Sequence, residues 1–394
     1  IRAAENGAQV FLFEKNNRLG RKLSITGKGR CNLTNATDNQ EIIKNIPGNG
    51  KFLNSVLNNF TSQDTVDFFE NLGLKTKIER GNRIFPASDN AAEVIEVLSR
   101  RLADLKVSVR LNSGVENIIA DDKKILGVEV NGKFFDCDAV ILATGGASYP
   151  ATGSTGDGFK FAKNLGHTVT EILPALVPLE TEEDFVQDLQ GLSLKNVRAT
   201  LYADEKIVAE IFGEMLFTHF GISGPIILTL SRQAAKLLHE KKFVELLINL
   251  KPALTPERLD ARILRDFDKF KGKIIKNAMI GLLPQKLIPV ILDLAYIDEE
   301  KKVDEITKTE RQKLVEILRG LPLTISATRP ISEAIVTAGG VSIKEINPKT
   351  MESKIVENLF IVGEVLDIDG NTGGFNLQAA WAMGNAAGNF AAKI

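Results

Sequence analysis

Only two cysteines, Cys31 and Cys137, occur in 394 residues. They supply neither a disulfide framework nor zinc-ligand spacing, so no metal site is expected. A reducing, cytoplasmic setting fits such sparse cysteine usage. No apolar run is long enough to span a bilayer, so no membrane partner is expected. There is no low-complexity tract and no internal repeat. Charge of one sign is missing as well, since 49 Lys and Arg face 50 Asp and Glu, for a net of −1. That balance argues against a strongly basic nucleic-acid footprint, and no nucleic-acid partner is expected. A local patch would survive the averaging, and a basic face on one domain would revive an RNA partner. The length exceeds what one hydrophobic core usually supports, which implies two or more domains.

A glycine-rich phosphate loop of the G-x-G-x-x-G type is also lacking at the start, where its context is present. Residues 1–8 read as the last turns of a helix, with Gly7 as its C-cap. Gln9 to Lys15 is then a short apolar strand ending in Glu14. Helix, tight turn, strand and carboxylate form the second half of a βαβ nucleotide unit, and roughly 15–20 residues of such a unit would precede Ile1. Glu14 either binds a ribose or merely ends an α/β strand.

The run from Leu359 to Gln378 decides in favour of the ribose. It reads as a buried strand, an acidic turn through Asp367, a glycine-rich loop and a helix. This is how a two-dinucleotide-type protein brings the last part of FAD into place. The strand ends on Gly363-Glu364, whose carboxylate can accept hydrogen bonds from ribityl hydroxyls. The pair Gly373-Gly374 lets backbone approach a flat ring. The helix opening at Phe375, Asn376 and Leu377 would aim free N–H groups at the flavin pyrimidine edge, favouring negative charge there by roughly 0.3–2 kcal/mol.

Between Arg18 and Asn35 lies a basic, glycine-punctuated loop. Its Gly20, Arg21, Lys22, Thr26, Gly27, Gly29, Arg30, Cys31 and Asn32, with Lys15 just before it, suit a pyrophosphate and a ring edge. The alternative is an exposed basic loop. Thr61 to Leu72 and Asn90 to Leu105 carry helical apolar spacing. Val107–Leu111, Gly114–Ala120, Leu126–Val130 and Lys133–Cys137 alternate like strands of a small antiparallel sheet. Ala139 to Gly146 is a continuous apolar run whose end (Ala143, Thr144, Gly145 and Gly146) should face the cofactor crevice. A turn-rich loop follows, in which Tyr149 could shield the ring edge.

From about Thr181 to Ala338 the texture changes. Val197–Tyr202, Ile207–Phe212 and Phe243–Leu250 look like strands of a β-rich insert. Thr255–Phe270, Ile275–Leu283, Leu287–Leu294 and Thr309–Leu318 look helical, with Thr255 and Thr309 as expected N-caps. The nucleotide domain is therefore split: residues 1–185 form its first part, 186–335 the insert with helices at about 253–320, and 336–394 its return.

Four runs resemble the bacterial HI0933-type flavoproteins, a group of NAD(P)/FAD-dependent oxidoreductases. It includes relatives of a bile-acid-inducible reductase and of an aminoacetone oxidase. The runs are Gly27–Asn35, Tyr149–Gly158, Gly213–Pro225 and Gly363–Gln378, and the likeness covers essentially the whole chain. The resemblance implies an α/β fold: a two-dinucleotide-type, Rossmann-like FAD domain interrupted by a small β-barrel and a helical subdomain. It also implies FAD contacts at Glu14, Gly20-Arg21, Thr26-Gly27, Val115, Glu364 and Asn376-Leu377, with Val115 holding adenine through its backbone.

Flavin chemistry asks little of side chains beyond positioning, electrostatics and one proton donor. His219, in the turn before Gly221, is the candidate donor, or else a histidine hydrogen-bonded within its turn. Arg30 would orient a substrate or offset charge on reduced flavin. Cys31 reads as packing rather than redox, and Trp381 as core. His167, after a helix and a glycine, reads as a cap or surface residue, and His239 as solvated. No G-x-G-x-x-G occurs downstream, so NAD(P)H would bind transiently without a domain of its own. Three functions follow. The first is an FAD-dependent oxidoreductase that reduces an unsaturated or carbonyl small molecule with NAD(P)H. The second is an FAD-dependent amine oxidase using oxygen. The third is an RNA-modifying or non-enzymatic flavoprotein. A monomer or homodimer is expected.

Overall fold

The computed structural model describes all of residues 1–394. It divides into two compact units: residues 1–173 with 331–394, and residues 174–330.

The first unit carries two parallel strand pairs, as a nucleotide-binding α/β domain requires. Phe11–Phe13 pairs with Ser108–Arg110, and Val140–Leu142 with Leu359–Ile361. The first pairing corrects one expectation. The segment Val107–Leu111 alternates like its successors, yet it joins the nucleotide strand in parallel and leaves the antiparallel sheet to the next three. That sheet is Val115–Asp121, Lys124–Val130 and Lys133–Asp136. A second small sheet sets Thr34–Asn35 against Arg83–Pro86, which pairs in turn with Thr76–Glu79.

Two helices start where side-chain caps dictate. Thr61 and Asp64 close a reciprocal capping box ahead of Ser62–Asn71, and Asn90 accepts from the Ala92 N–H ahead of Ala91–Asp104. The terminal helix Phe375–Ala391 buries Ala379, Ala382, Met383, Ala386 and Ala387 in the core that contains Leu359–Ile361. Its small side chains let helix and strands approach closely. Trp381 donates to the Leu33 carbonyl at 3.0 Å and packs edge-on to Phe69.

The second unit is a closed six-stranded barrel with added helices. Its order is Leu179–Thr181, Gly221–Ser223, Lys206–Thr218, Ser193–Ala203, Val244–Asn249 and Leu321–Thr328. Inward alternation of Leu201, Phe217, Leu246 and Ile248, all fully buried, fills its core. Pro225–His239 packs on it, its proline at the first helical position. Pro256–Lys269, Ile275–Met279, Leu287–Leu294 and Lys308–Arg319 lie between two barrel strands in sequence. The last of these is capped by Thr307, not by Thr309. Only Thr307 has a glutamate three residues on, Glu310, to complete the box.

No helix is long and apolar enough to cross a membrane.

Candidate cofactor site

The basic loop after the first strand runs past three groups of side chains, all within the first unit. At the first group, Glu14 Oε1 accepts from the Asn16 N–H at 2.8 Å and from Asn16 Nδ2 at 2.7 Å. Arg21 donates to Asn16 Oδ1 at 2.9 Å, and Asn16 reaches the Thr152 carbonyl at 3.0 Å. Lys15 donates to Thr155 and pairs with Asp157, each at 2.5 Å. Burial, the largest single influence, pushes the Asp157 carboxyl up, but the hydrogen bonds from Lys15 and Thr155 and the charges of Lys15 and Lys160 together hold it below its usual value. Asn16 organises this group. Sequence reasoning passed over it, although an amide two residues after the strand-ending acid was a usable signal. Val115 lies nearby in the chain: Ser113 donates to the Glu14 carbonyl, and Val115 then pairs with Val130.

The second group centres on Glu364. Its Oε2 pairs with Lys22 at 2.7 Å, while Oε1 accepts from the Thr337 N–H at 2.7 Å and from Ser148 at 3.3 Å. Lys22 also donates to Ser148 at 2.8 Å. A Cβ on Gly146 would stand 2.4 Å from Thr337 Oγ1 and 2.9 Å from Glu364 Oε1. Thr337 and Ser148 are further members that the sequence did not announce. A carboxylate has about four acceptor positions, and three are used here, leaving room for a hydroxyl.

The third group joins the end of the loop to the terminal helix. Asn35 Nδ2 donates to the Gly373 carbonyl at 3.0 Å. Thr34 Oγ1 and Thr65 Oγ1 both donate to the fully buried Gln378 Oε1 at 2.7 Å, and Gln378 Nε2 donates to the Phe60 carbonyl at 3.1 Å. Gly374 has φ +96°, and a Cβ there would meet the Thr34 carbonyl oxygen at 2.5 Å. No side chain caps the helix, so the N–H groups of Phe375, Asn376 and Leu377 lack a capping acceptor. Asn376 instead turns back: its Oδ1 accepts from the Gly370 N–H and its Nδ2 donates to the Gly370 carbonyl, both at 2.7 Å.

Lys28 and Cys31 hold left-handed backbone, with φ near +60°, between Gly27 and Asn32. Cys31 is fully buried, and burial pushes its thiol up to about 11. Tyr149 is also left-handed, and its carbonyl accepts from Thr152. Thr144 packs where a Cβ on Gly158 would be. Asp367 is fixed through its backbone to Val341 and Asn49.

Arg30 is committed to partners the sequence did not suggest. It pairs with Glu79 at 2.6 Å and Asp89 at 2.9 Å, and its guanidinium lies 4.0 Å from the centre of the Phe85 ring. The Arg30 hydrogen bond holds Glu79 below the ordinary carboxylate range, and Lys77 does the same for Asp89. Of the two expectations for His167, the cap holds and the surface position does not: its N–H closes the helix Asp157–Asn164 on the Ala162 carbonyl at 2.9 Å. Its side chain is buried, with Nδ1 3.0 Å from Glu345 Oε2 and Nε2 2.9 Å from Ser353 Oγ. His219 lies in the barrel unit, exposed, edge-on to Phe220 at 5.0 Å. No hydrogen bond ties its ring into the turn.

The HI0933-like protein Rossmann domain matches residues 1–390. The chain belongs to the HI0933-like family. With that membership comes the coarse class, a flavoprotein oxidoreductase with a Rossmann-like nucleotide-binding domain. A 3-dehydro-bile acid delta(4,6)-reductase of Clostridium scindens is 35% identical over 391 residues, covering 99% of this chain and 94% of that protein. Two ribosomal RNA dihydrouridine synthases are each 29% identical. The one from Escherichia coli aligns over 96% of this chain and 91% of its own length, and the one from Haemophilus influenzae over 97% and 92%.

The residues present fit FAD. Asn32 Oδ1 is buried without a hydrogen-bond partner in the chain, beside a loop stitched to the terminal helix. A buried carbonyl oxygen left unpaired costs about 1–3 kcal/mol, and a ring N–H would remove that cost.

Proposed function

We propose that this protein is an FAD-dependent reductase of a carbon–carbon double bond conjugated to a carbonyl, with NAD(P)H as reductant. The uncapped start of Phe375–Ala391 after Gly373-Gly374, together with the unpaired Asn32 oxygen in the loop that Asn35 ties to Gly373, carries the reading. That arrangement favours a flat ring able to hold negative charge at one edge. Glu14 and Arg21 would hold the adenosine and pyrophosphate end. Lys22, Ser148 and Glu364 would hold the ribityl chain, and Asn32 with the helix start the pyrimidine edge. Bound FAD would supply two-electron transfer between donor and substrate. His219 is the proton donor we favour.

The names of the relatives support the substrate class. One acts on a delta(4,6) unsaturated 3-dehydro bile acid. The other two make dihydrouridine, which is uridine with its ring double bond saturated. In both cases the reducible bond is conjugated to a carbonyl, which makes its far carbon a hydride acceptor.

Anaerobic mixing of the FAD-loaded protein with NADH and then NADPH tests the donor. Fast loss of the oxidised-flavin absorbance is expected, followed by its return when a cyclic enone is added. No bleaching with either nucleotide would refute the donor, and bleaching without enone-driven return would refute the substrate class.

A further inference from the structure

The balanced charge of the chain conceals a one-sided helix. Pro256–Lys269 carries Arg258, Arg262, Arg265 and Lys269 at spacings of four, three and four residues. At about 100° per residue these fall within roughly 60° of one another around the axis. The opposite side is occupied: Leu259, Ile263 and Phe267 are buried in the core of the same unit. Cations therefore form a straight stripe about 16 Å long at 1.5 Å per residue.

The same helix carries four acids, but Asp260 is turned to another use, pairing with Arg311 at 2.6 Å. Asp266 alone pairs with the stripe, reaching Arg262 at 2.6 Å and Lys269 at 3.6 Å. Arg258 and Arg265 are exposed and take part in no ion pair. The chain then continues into exposed Lys271 and Lys273, also without ion pairs. Half-buried Lys251 does not add to the stripe, since burial first and the nearby Arg262 second hold its ammonium below its usual value. Glu257 and Asp268 flank the helix to one side.

We propose that this stripe docks one strand of an RNA. A straight row of arginine and lysine about 16 Å long matches four to five successive phosphates at ~3.4 Å of axis each. Guanidinium forks suit phosphate oxygens. A membrane surface fits poorly, because a helix lying in lipid turns its apolar face outward and this one is used internally. The choice of RNA over DNA rests on the reductase reading, because two relatives are ribosomal RNA dihydrouridine synthases; thymine offers the same conjugated double bond, so the DNA arm of the test decides between the two.

The test measures binding of the full-length, FAD-loaded protein to a fluorescent RNA stem-loop with a uridine-rich loop, between 50 and 200 mM salt. A DNA stem-loop of matching sequence and phosphatidylglycerol vesicles are run alongside. The variant Arg258→Gln, Arg265→Gln, Lys269→Gln, Lys271→Gln removes four cations. With a slope of about −0.7 per phosphate contact, it should flatten the salt dependence by roughly 2.8, about fifty-fold over that range. Affinity at 50 mM salt should fall at least tenfold, with flavin content and bleaching by NAD(P)H unchanged. The charge-conserving Arg258→Lys, Arg265→Lys should keep most of the binding. The proposal is overturned by absent RNA binding, by equal loss in both variants, by an unaltered salt slope, or by vesicles or DNA binding in place of RNA. Flavin bleaching and enone reduction are read separately, so failure of the docking surface is distinguishable from failure of the reductase reading.

Discussion

Replacing Glu364 with Gln separates two roles that meet in one carboxylate. Within the chain, Glu364 accepts from Lys22 and Thr337 at 2.7 Å each, and neither it nor Lys22 is more than about a quarter exposed. Glutamine keeps an oxygen for the Thr337 N–H but presents an NH2 or a neutral oxygen to the Lys22 ammonium. Hydrogen bonds to charged groups contribute about 1.5–3 kcal/mol when well made. Residual solvent around both groups trims the loss, so about 1–2 kcal/mol of apoprotein stability should disappear. Urea unfolding of the FAD-free protein reads this directly. The proposed ribityl contact adds a second effect. Loss of one charge-assisted hydrogen bond to FAD, at about 1.5–3 kcal/mol, weakens affinity by roughly ten- to a hundredfold. Flavin fluorescence quenching on titration measures it. Unchanged urea stability would refute the clamp drawn from the distances, and unchanged FAD affinity would refute the ribityl assignment.

Gly374→Ala forces a Cβ to within 2.5 Å of the Thr34 carbonyl oxygen at φ +96°, so FAD affinity should fall about tenfold or more, as equilibrium dialysis would show. Burial holds His167 below its ordinary value of 6.5 despite Glu345. The unfolded chain then binds more protons, so stability is full above that value and declines as pH falls through it; His167→Gln should flatten the decline in urea melts between pH 7 and 5. Cys31, with its thiol pushed up to about 11, should ignore a thiol reagent at pH 8 until the protein is unfolded. Rapid native labelling of Cys31 would contradict the buried position. His219→Ala should slow enone reduction while leaving flavin content and NAD(P)H bleaching intact, and normal turnover would remove His219 from the chemistry.

Local chemistry made part of this architecture readable. Thr61 and Asn90 announce helices because each supplies its own cap, and the glycine pair before Phe375 announces a close backbone approach. What the sequence hid depends on distant partners. Val107–Leu111 has the same alternation whether it pairs in parallel or antiparallel, and Phe11–Phe13 settles that. Leu321–Thr328 was passed over, because a single strand that closes a barrel carries no turn of its own. The helix Pro225–His239 was missed inside the motif that ends at Pro225, where the proline reads as a stop and serves as a start. The counter-ions of Arg30, and the Glu345 and Ser353 partners of His167, are likewise far along the chain.

The same distinction explains how the proposed flavin end can be ready before a cofactor arrives. Gln378 sits one turn into the terminal helix and is wholly buried. Its oxygen takes two hydroxyls, from Thr34 and Thr65, and its nitrogen gives to Phe60. If the helix shifted by one residue, the Gln378 amide would be left buried without these partners, at about 1–3 kcal/mol, whereas Thr34 and Thr65 would still have Ser62 and the Thr61 carbonyl. The network therefore fixes the register of the helix against the Thr34–Asn35 strand. The N–H groups of Phe375 and Asn376 are held where they are by buried polar bonds and not by a loop. Electrostatic stabilisation of this kind is effective when the dipoles need no reorganisation. A polar side chain buried deep in an alanine-rich helix is thus best understood as the anchor of the site and not as a flaw in the core.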